Sequence, residues 1–170
     1  DLDPSLMNIY LIEASNRLLS AMSPESSSAV EKYLREMGVN ILLNKMVTDY
    51  KDHKVMLADG SSISTRTFIW VSGVAGQPVG NLDASHLGRG RRIKVDSFNR
   101  VEGLEDVFCI GDQCLVEGDK DYPNGHPQLA QVAIQQGANL AKNLKRMIKG
   151  KPFTPFRYKN LGAMATVGRN

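Results

Sequence analysis

The sequence contains no G-x-G-x-x-G and no Walker-type loop, so it carries no ready-made glycine cradle for a nucleotide pyrophosphate. It has only two cysteines, Cys109 and Cys114, too few to staple a secreted scaffold. A reducing, cytosolic setting is the default for such a chain. No run approaches the ~18 apolar residues of a membrane span, and no signal peptide is visible. Net charge is only +3, from 21 basic and 18 acidic residues, too weak to argue for a nucleic-acid partner. The cluster Arg89-Gly90-Arg91-Arg92 reads as a solvated turn. His53, His86 and His126 lie far apart without H-x-x-x-H or C-x-x-C company, which rejects a metal site. Ser61, Ser62 and Ser64 show no nucleophile elbow. The chain opens on Asp1 rather than methionine and reads as an internal piece of a longer protein.

What is present is a globular composition, 42% hydrophobic and 23% charged over 170 residues. Asn8 to Ala14 reads as a strand, and its run Ile9-Tyr10-Leu11-Ile12 suits one covered on both faces. A helix is predicted from Pro24 to Met37, capped by Ser23, with Ser28 and Glu31 as an alternative capping box. Val30, Tyr33, Leu34 and Met37 give it one buried face, and Gly38 ends it. Val39 to Leu43 then completes a βαβ unit with parallel strands. Short strands follow at Met46–Tyr50, Lys54–Leu57 and Ser62–Thr67, with Asp52-His53 and Asp59-Gly60 as turns. Thr67–Ser72 reads as a buried strand, 76–90 as a crossover, and Ile93–Val95 and Val107–Ile110 as further strands. After a polar loop, Gln113–Gly125, a long helix is expected over Pro127–Lys149. Leu129, Val132, Ala133, Leu140, Leu144 and Met147 form its apolar side. From Phe156 onward the chain reads as extended or hairpin structure.

Two positions carry chemistry on their own account. Glu13 stands at the carboxyl end of the first strand, where dinucleotide-binding βαβ folds place an acid that accepts hydrogen bonds from ribose hydroxyls. It favours NADH over NADPH by repelling the extra phosphate, although Arg17 nearby weakens that preference; the alternative is an ordinary solvated Glu. The glycine loop expected roughly 20 residues earlier is absent: only twelve residues precede Glu13 and none is glycine. The second position is Gly111-Asp112, delivered by the apolar run Val107 to Ile110. The glycine permits close ligand approach, and the Asp can accept hydrogen bonds from a polyol such as the ribityl chain of FAD. A helix N-terminus, with about half a positive charge, follows at Pro127 and suits the flavin C2 carbonyl.

Phe108-Cys109-Ile110-Gly111-Asp112, followed by Pro127-Gln128-Leu129-Ala130-Gln131-Val132-Ala133-Ile134-Gln135-Gln136-Gly137, resembles the second FAD motif of the type II NADH:quinone oxidoreductases. Ile69 to Val74, the stretch Phe156 to Arg169, and Leu11 to Ala14 with Leu18-Leu19 resemble the same family in the expected order. The resemblance implies an α/β fold: an incomplete Rossmann-like FAD/NAD(P)-binding fold, with a parallel sheet, flanking helices and a small antiparallel hairpin layer. It divides the chain into 1–76, part of the NADH domain; 77–150, linker and the C-terminal half of the FAD domain; and 151–170, the start of a C-terminal region. It implies FAD and NADH as cofactors. Glu13 would hold the adenosine ribose, and Gly73 and Val74 would lie near the nicotinamide. Gly111 and Asp112 would take the ribityl chain, and Leu129, Ala130 and Gln131 would face the isoalloxazine. Gln135 and Gln136 would lie toward the quinone. It further implies peripheral attachment to the cytoplasmic face of the inner membrane through a part outside this sequence, with a homodimer among the open assemblies. The alternatives are another pyridine-nucleotide flavoprotein, such as a ferredoxin or disulfide reductase, and a non-enzymatic α/β binding module. The C-x4-C spacing of Cys109 and Cys114 matches a redox pair in disulfide-reducing relatives, but its place across Gly111-Asp112 reads as two structural thiols.

Overall fold

A computed structural model describes residues 7–77 and 79–168. The chain divides into two compact units, cut after Trp70 and after Leu161, with the stretch from Gly162 returning to the first. Residues 151–161 thus pack within the second unit. Arg169, the end of the C-terminal resemblance, lies outside the described residues.

The first unit starts with the expected βαβ element. β1 (Ile9–Ile12) pairs in parallel with β2 (Val39–Leu42), Ile9 opposite Val39 through Ile12 opposite Leu42, across α1 (Pro24–Glu36). Ser23 caps α1: its hydroxyl accepts from Ser26 N at 3.2 Å, and Pro24 occupies the first turn. The parallel pairing follows the sequence, but the burial does not. Ile9 and Tyr10 are exposed, because β1 has one strand neighbour among the described residues. The expected apolar face of α1 also divides: Val30 and Leu34 are half-buried, whereas Tyr33 and Met37 are more than half exposed. A hydroxyl fills part of that contact instead. Ser27 is buried and donates to Leu18 O at 2.5 Å.

A three-stranded antiparallel sheet completes this unit: β3 (Val47–Lys51), β4 (Lys54–Leu57) and β5 (Ser62–Ser64). Asp52 and His53 both take left-handed φ, 49° and 59°, the two-residue turn whose twist matches the flanking strands. Val55 and Leu57 alternate inward, while Lys54 and Met56 face solvent. The stretch expected as a buried strand at Thr67–Ser72 is not one. It has no ladder partner among the described residues, and Ile69, Trp70 and Val71 are exposed.

In the second unit β6 (Ile93–Val95) pairs in parallel with β7 (Cys114–Val116). Ile93, Val95, Val101, Cys114 and Val116 form its buried core. β7 lies inside the segment read as a polar loop: Cys114-Leu115-Val116 is a short apolar run, and all three residues are buried. Conversely, Val107–Ile110 forms no strand and keeps a single antiparallel bridge, Phe108 to Arg100. The Arg89–Arg92 turn is only partly solvated. Arg92 is buried, with Nε donating to Cys114 O at 2.8 Å and Nη2 to His126 O at 3.1 Å.

α2 (Ala130–Ile148) starts three residues later than the sequence suggests, because Leu129 is extended at the N-cap. Its inward face is more polar than the apolar pattern implies: Val132 is buried together with Gln136 and Asn143. Four amides at i+4 spacing hold the returning chain against the helix. Gln131 Oε1 accepts from Leu161 N at 3.1 Å, and Gln135 makes two bonds to the backbone of Lys159, at 2.9 and 3.0 Å. Asn139 and Asn143 both donate to Thr154 O, and Asn143 Oδ1 accepts from Thr154 N at 2.9 Å.

Asn143 is fully buried, so Asn143→Ala strands the Thr154 backbone without water to replace the amide. We expect a loss of about 2–3 kcal/mol in urea denaturation. A loss below about 0.5 kcal/mol, the level of an ordinary surface substitution, would remove the anchoring role.

Candidate functional site

The second unit brings Gly111, Asp112, Leu129, Ala130 and Gln131 to one place. The chain leaves Phe108–Ile110 and makes a tight turn at Gly111–Gln113. Gly111 takes φ 70°, a left-handed value that a side chain would strain. Its N–H donates to Gln136 Oε1 at 2.7 Å. The same carboxamide meets Cys114, with Nε2 at 3.2 Å and Oε1 at 3.4 Å from the sulfur. From the other side, Gln128 Nε2 donates to Asp112 O at 3.0 Å. The turn is therefore fastened to both the approach and the second turn of α2, and the Asp112 side chain stays exposed.

Gln113 fastens a third segment. Its Oε1 accepts from Gln77 N at 2.9 Å and its Nε2 donates to Gln77 O at 2.8 Å, which holds Gln77, a few residues after Gly73 and Val74, beside the turn. Gly73 has φ 92° with open space around it, and Val74 is exposed. Leu129 and Ala130 are exposed at the helix start, where no side chain caps the N-terminus. The backbone groups of that first turn and the Asp112 carboxylate suit a ligand with a polyol and an electron-rich ring edge.

Gln135 and Gln136, expected side by side toward one ligand, point to different surroundings. Gln135 grips Lys159, whereas Gln136 is fully buried and committed to Gly111 and Cys114. An i, i+1 pair on a helix cannot share a face. Sequence reasoning also passed over Gln113, Gln128 and Arg92, which carry the bonds between segments.

Glu13 belongs to the first unit. It ends β1 as expected, with its N–H on Leu42 O and its carbonyl accepting from Lys45 N. Its Oε1 accepts from Ser15 N at 2.7 Å. Arg17 is spent on its own loop, donating to Ser20 O and Met22 O, so it braces that loop.

The two thiols sit where they are hardest to ionise. Burial, reinforced by the neighbouring Cys114, pushes Cys109 up to about 11. Burial also pushes Cys114 up, against the hydrogen bond from Gln136. Among the described residues no group of three or more His, Cys, Asp or Glu could hold a metal ion.

Residues 5–137 match the family model described as pyridine nucleotide-disulphide oxidoreductase. The chain belongs to that family. It is similar to the type II NADH:quinone oxidoreductase NdhA of Mycobacterium tuberculosis, with 32% identity over 98% of this chain and 37% of that protein. The Haemophilus influenzae type II NADH:quinone oxidoreductase is 30% identical over 98% of this chain and 37% of its own length. The chain thus spans little more than a third of these relatives. Among solved structures it is similar in fold to a ferredoxin reductase from Rhodopseudomonas palustris (TM-score 0.67, 19% identity, 89% of this chain, 37% of that one). It is equally similar to NDH2 from Plasmodium falciparum in complex with NADH (TM-score 0.68, 17% identity, 82% and 43%). These likenesses establish an α/β fold of the Rossmann-like oxidoreductase kind, with parallel strands, flanking helices and the hairpin sheet.

Two measurements check the site as built. Gln136→Leu buries the Gly111 N–H without a partner, which should cost about 1–3 kcal/mol and speed hydrogen exchange at Gly111; unchanged exchange there would break the link. The raised thiol pKa of Cys109 gives a sign. Its contribution to stability is fully present below pH 9 and fades as pH rises through about 11, because the unfolded thiol ionises first. The melting temperature should fall across that window, and less steeply in Cys109→Ala; equal slopes would show that the thiol is not the group responsible.

Proposed function

We propose that this chain is the part of an NADH:quinone oxidoreductase that supplies half of an FAD site and half of an NADH site. The observation that carries the reading is the Gly111-Asp112 turn, pinned to the start of α2 by Gln136 and Gln128 while its carboxylate stays open to a ligand. Similarity to type II NADH:quinone oxidoreductases along nearly the whole chain supports it.

The residues fit FAD as far as they go. Asp112 accepts hydrogen bonds from ribityl hydroxyls, and Gly111 lets that chain lie close to the backbone. The first turn of α2, at Leu129, Ala130 and Gln131, presents its partial positive charge to the pyrimidine edge of the ring. When bound, FAD supplies the hydride-accepting ring, and the protein orients it and sets its field. Glu13 receives the adenosine ribose of NADH, with its Oε1 already oriented by Ser15 N. Gly73 and Val74 border the nicotinamide. Gln135 lies on the quinone side, while Gln136, buried on Gly111 and Cys114, acts from beneath as the brace of the turn. No general acid or base is required of this chain. In the whole enzyme the reading places FAD, NADH and a quinone together at the cytoplasmic face of a membrane. Among the described residues no helix is long and apolar enough to cross one. A ferredoxin reductase is the second reading, supported by the shared fold. Burial raises the pKa of both thiols, which argues against Cys109 and Cys114 themselves as a redox pair.

The 170 residues alone should bind FAD and NADH weakly, because neither glycine loop is in the sequence. In the complete enzyme, Glu13→Gln should raise the KM for NADH about tenfold, a charged hydrogen bond of about 1.5 kcal/mol. Asp112→Ala should release FAD on gel filtration. Unchanged KM and retained flavin in the two variants would sink the assignments. Failure to reduce any quinone analogue, with ferredoxin reduced instead, would move the enzyme to the second reading.

A further inference from the structure

The second unit buries a cation without an anion. Arg92 is 8% exposed, and no carboxylate of the described residues lies within ion-pair distance of it. Its Nε and Nη2 donate to the carbonyls of Cys114 and His126. Nη1 makes no hydrogen bond among the described residues, and it lies 3.4 Å from where a Cβ on Gly125 would stand. A guanidinium carries five donors, so this arrangement leaves donor capacity unused. A guanidinium largely removed from water gains from an opposite charge or from further hydrogen bonds. Burial pulls the Arg92 pKa below the ordinary guanidinium value; the field of Asp112 opposes this, and the nearby Arg89 cation adds to it. A guanidinium stays protonated regardless.

Beside this group lies a hollow of about 270 Å3, bounded by Arg89, Gly90 and Arg92 on one side and by Asn124 to Gln128 on the other. A water molecule takes about 30 Å3 of liquid volume, so a tetrahedral oxyanion with several waters fits there. Its lining includes the exposed Arg89, the buried Arg92 and the exposed Asn124, while the Gln128 amide is already committed to Asp112 O. His126 belongs to the same wall, and its Nδ1 finds no partner, while Nε2 is fixed on Asp119 at 2.9 Å.

We propose that this hollow binds a phosphate-class oxyanion, held from below by Arg92 and at the rim by Arg89. The two guanidinium groups repel each other as they stand, and an anion between them reverses the sign of that interaction. The forked geometry of arginine suits a phosphate's paired oxygens better than a point charge does. The proposal rests on Arg89 and Arg92, neither of which the flavin reading uses, although the hollow shares the Gln128 wall with the Gly111-Asp112 turn. Its ligand is either free phosphate or the phosphate of a nucleotide.

The test titrates inorganic phosphate, and in parallel ADP, into the 15N-labelled chain at low ionic strength, following the amides of Gly90 and Gly125. The expected result is a saturable shift at both glycines. Arg89→Ala should weaken phosphate about threefold and Arg92→Lys about tenfold, on the scale of a charge-assisted hydrogen bond. ADP binding tighter than phosphate assigns the anion to a nucleotide, and equal affinity assigns it to free phosphate; either keeps the site. Absence of saturable shifts with both probes overturns it, as does unchanged phosphate affinity in the variants. If Arg92→Lys fails to fold, Arg89→Ala at the exposed rim carries the test alone.

Discussion

The buried carboxamide of Gln136 is the constraint on which the second unit depends. It satisfies the N–H of Gly111, whose left-handed backbone turns the chain at the site, and it occupies the Cys114 thiol in the core. A turn of this kind leaves backbone polar groups facing the protein, and unpaired they would each cost about 1–3 kcal/mol. One side chain from α2 removes that cost and fixes the distance between turn and helix. Asp112 can then remain exposed, because the turn does not rely on its side chain for support.

The same helix uses amides a second way. Gln131, Gln135, Asn139 and Asn143 recur every fourth residue, so they lie along one stripe. Each bonds the backbone of the returning segment, which has no strand or helix of its own to satisfy its polar groups. The stripe thus replaces a sheet ladder for residues 154–161. Thr67–Ser72, where the first unit gives way to the second, has no such device among the described residues, and Ile69 to Val71 remain exposed.

Much of the architecture was legible because it follows from local rules. The β1–α1–β2 unit, the Asp52-His53 turn, the hairpin strands and the long helix all rest on periodicity, capping and turn chemistry. The family motif at Gly111-Asp112 and Ala130 to Gly137 was legible as well. What escaped depends on partners that periodicity does not encode. The run Val107 to Ile110 is as apolar as any strand, yet without ladder neighbours it makes one bridge. Cys114 to Val116 hid inside a polar neighbourhood because three residues are too few for a pattern. Arg92 read as solvated from its charge, since nothing in Arg-Gly-Arg-Arg says which guanidinium folds inward. Gln136 read as a residue facing the quinone and Asn143 had no assigned role, whereas both are wholly buried. The fourfold amide spacing was a signal in plain sight, but hydrophobicity is blind to it.

Two glycines in the second unit show why a motif letter does not state its own reason. At Gly76 a Cβ would stand 2.5 Å from the backbone oxygen of Arg91, with the Gly76 N–H bonded to Gly90 O at 2.7 Å. There the missing side chain makes room for a neighbouring backbone that cannot retreat. At Gly111 the nearest atom to a Cβ would be the Ala133 methyl at 3.5 Å, an ordinary contact. Space is therefore not what Gly111 supplies; its φ of 70° is. An alanine would strain the backbone by about 1–2 kcal/mol. The glycine of the Gly-Asp pair thus serves the protein first, by letting the chain reverse sharply enough to put its N–H on Gln136. Any ligand beside Asp112 inherits a position that the fold has already fixed for its own reasons.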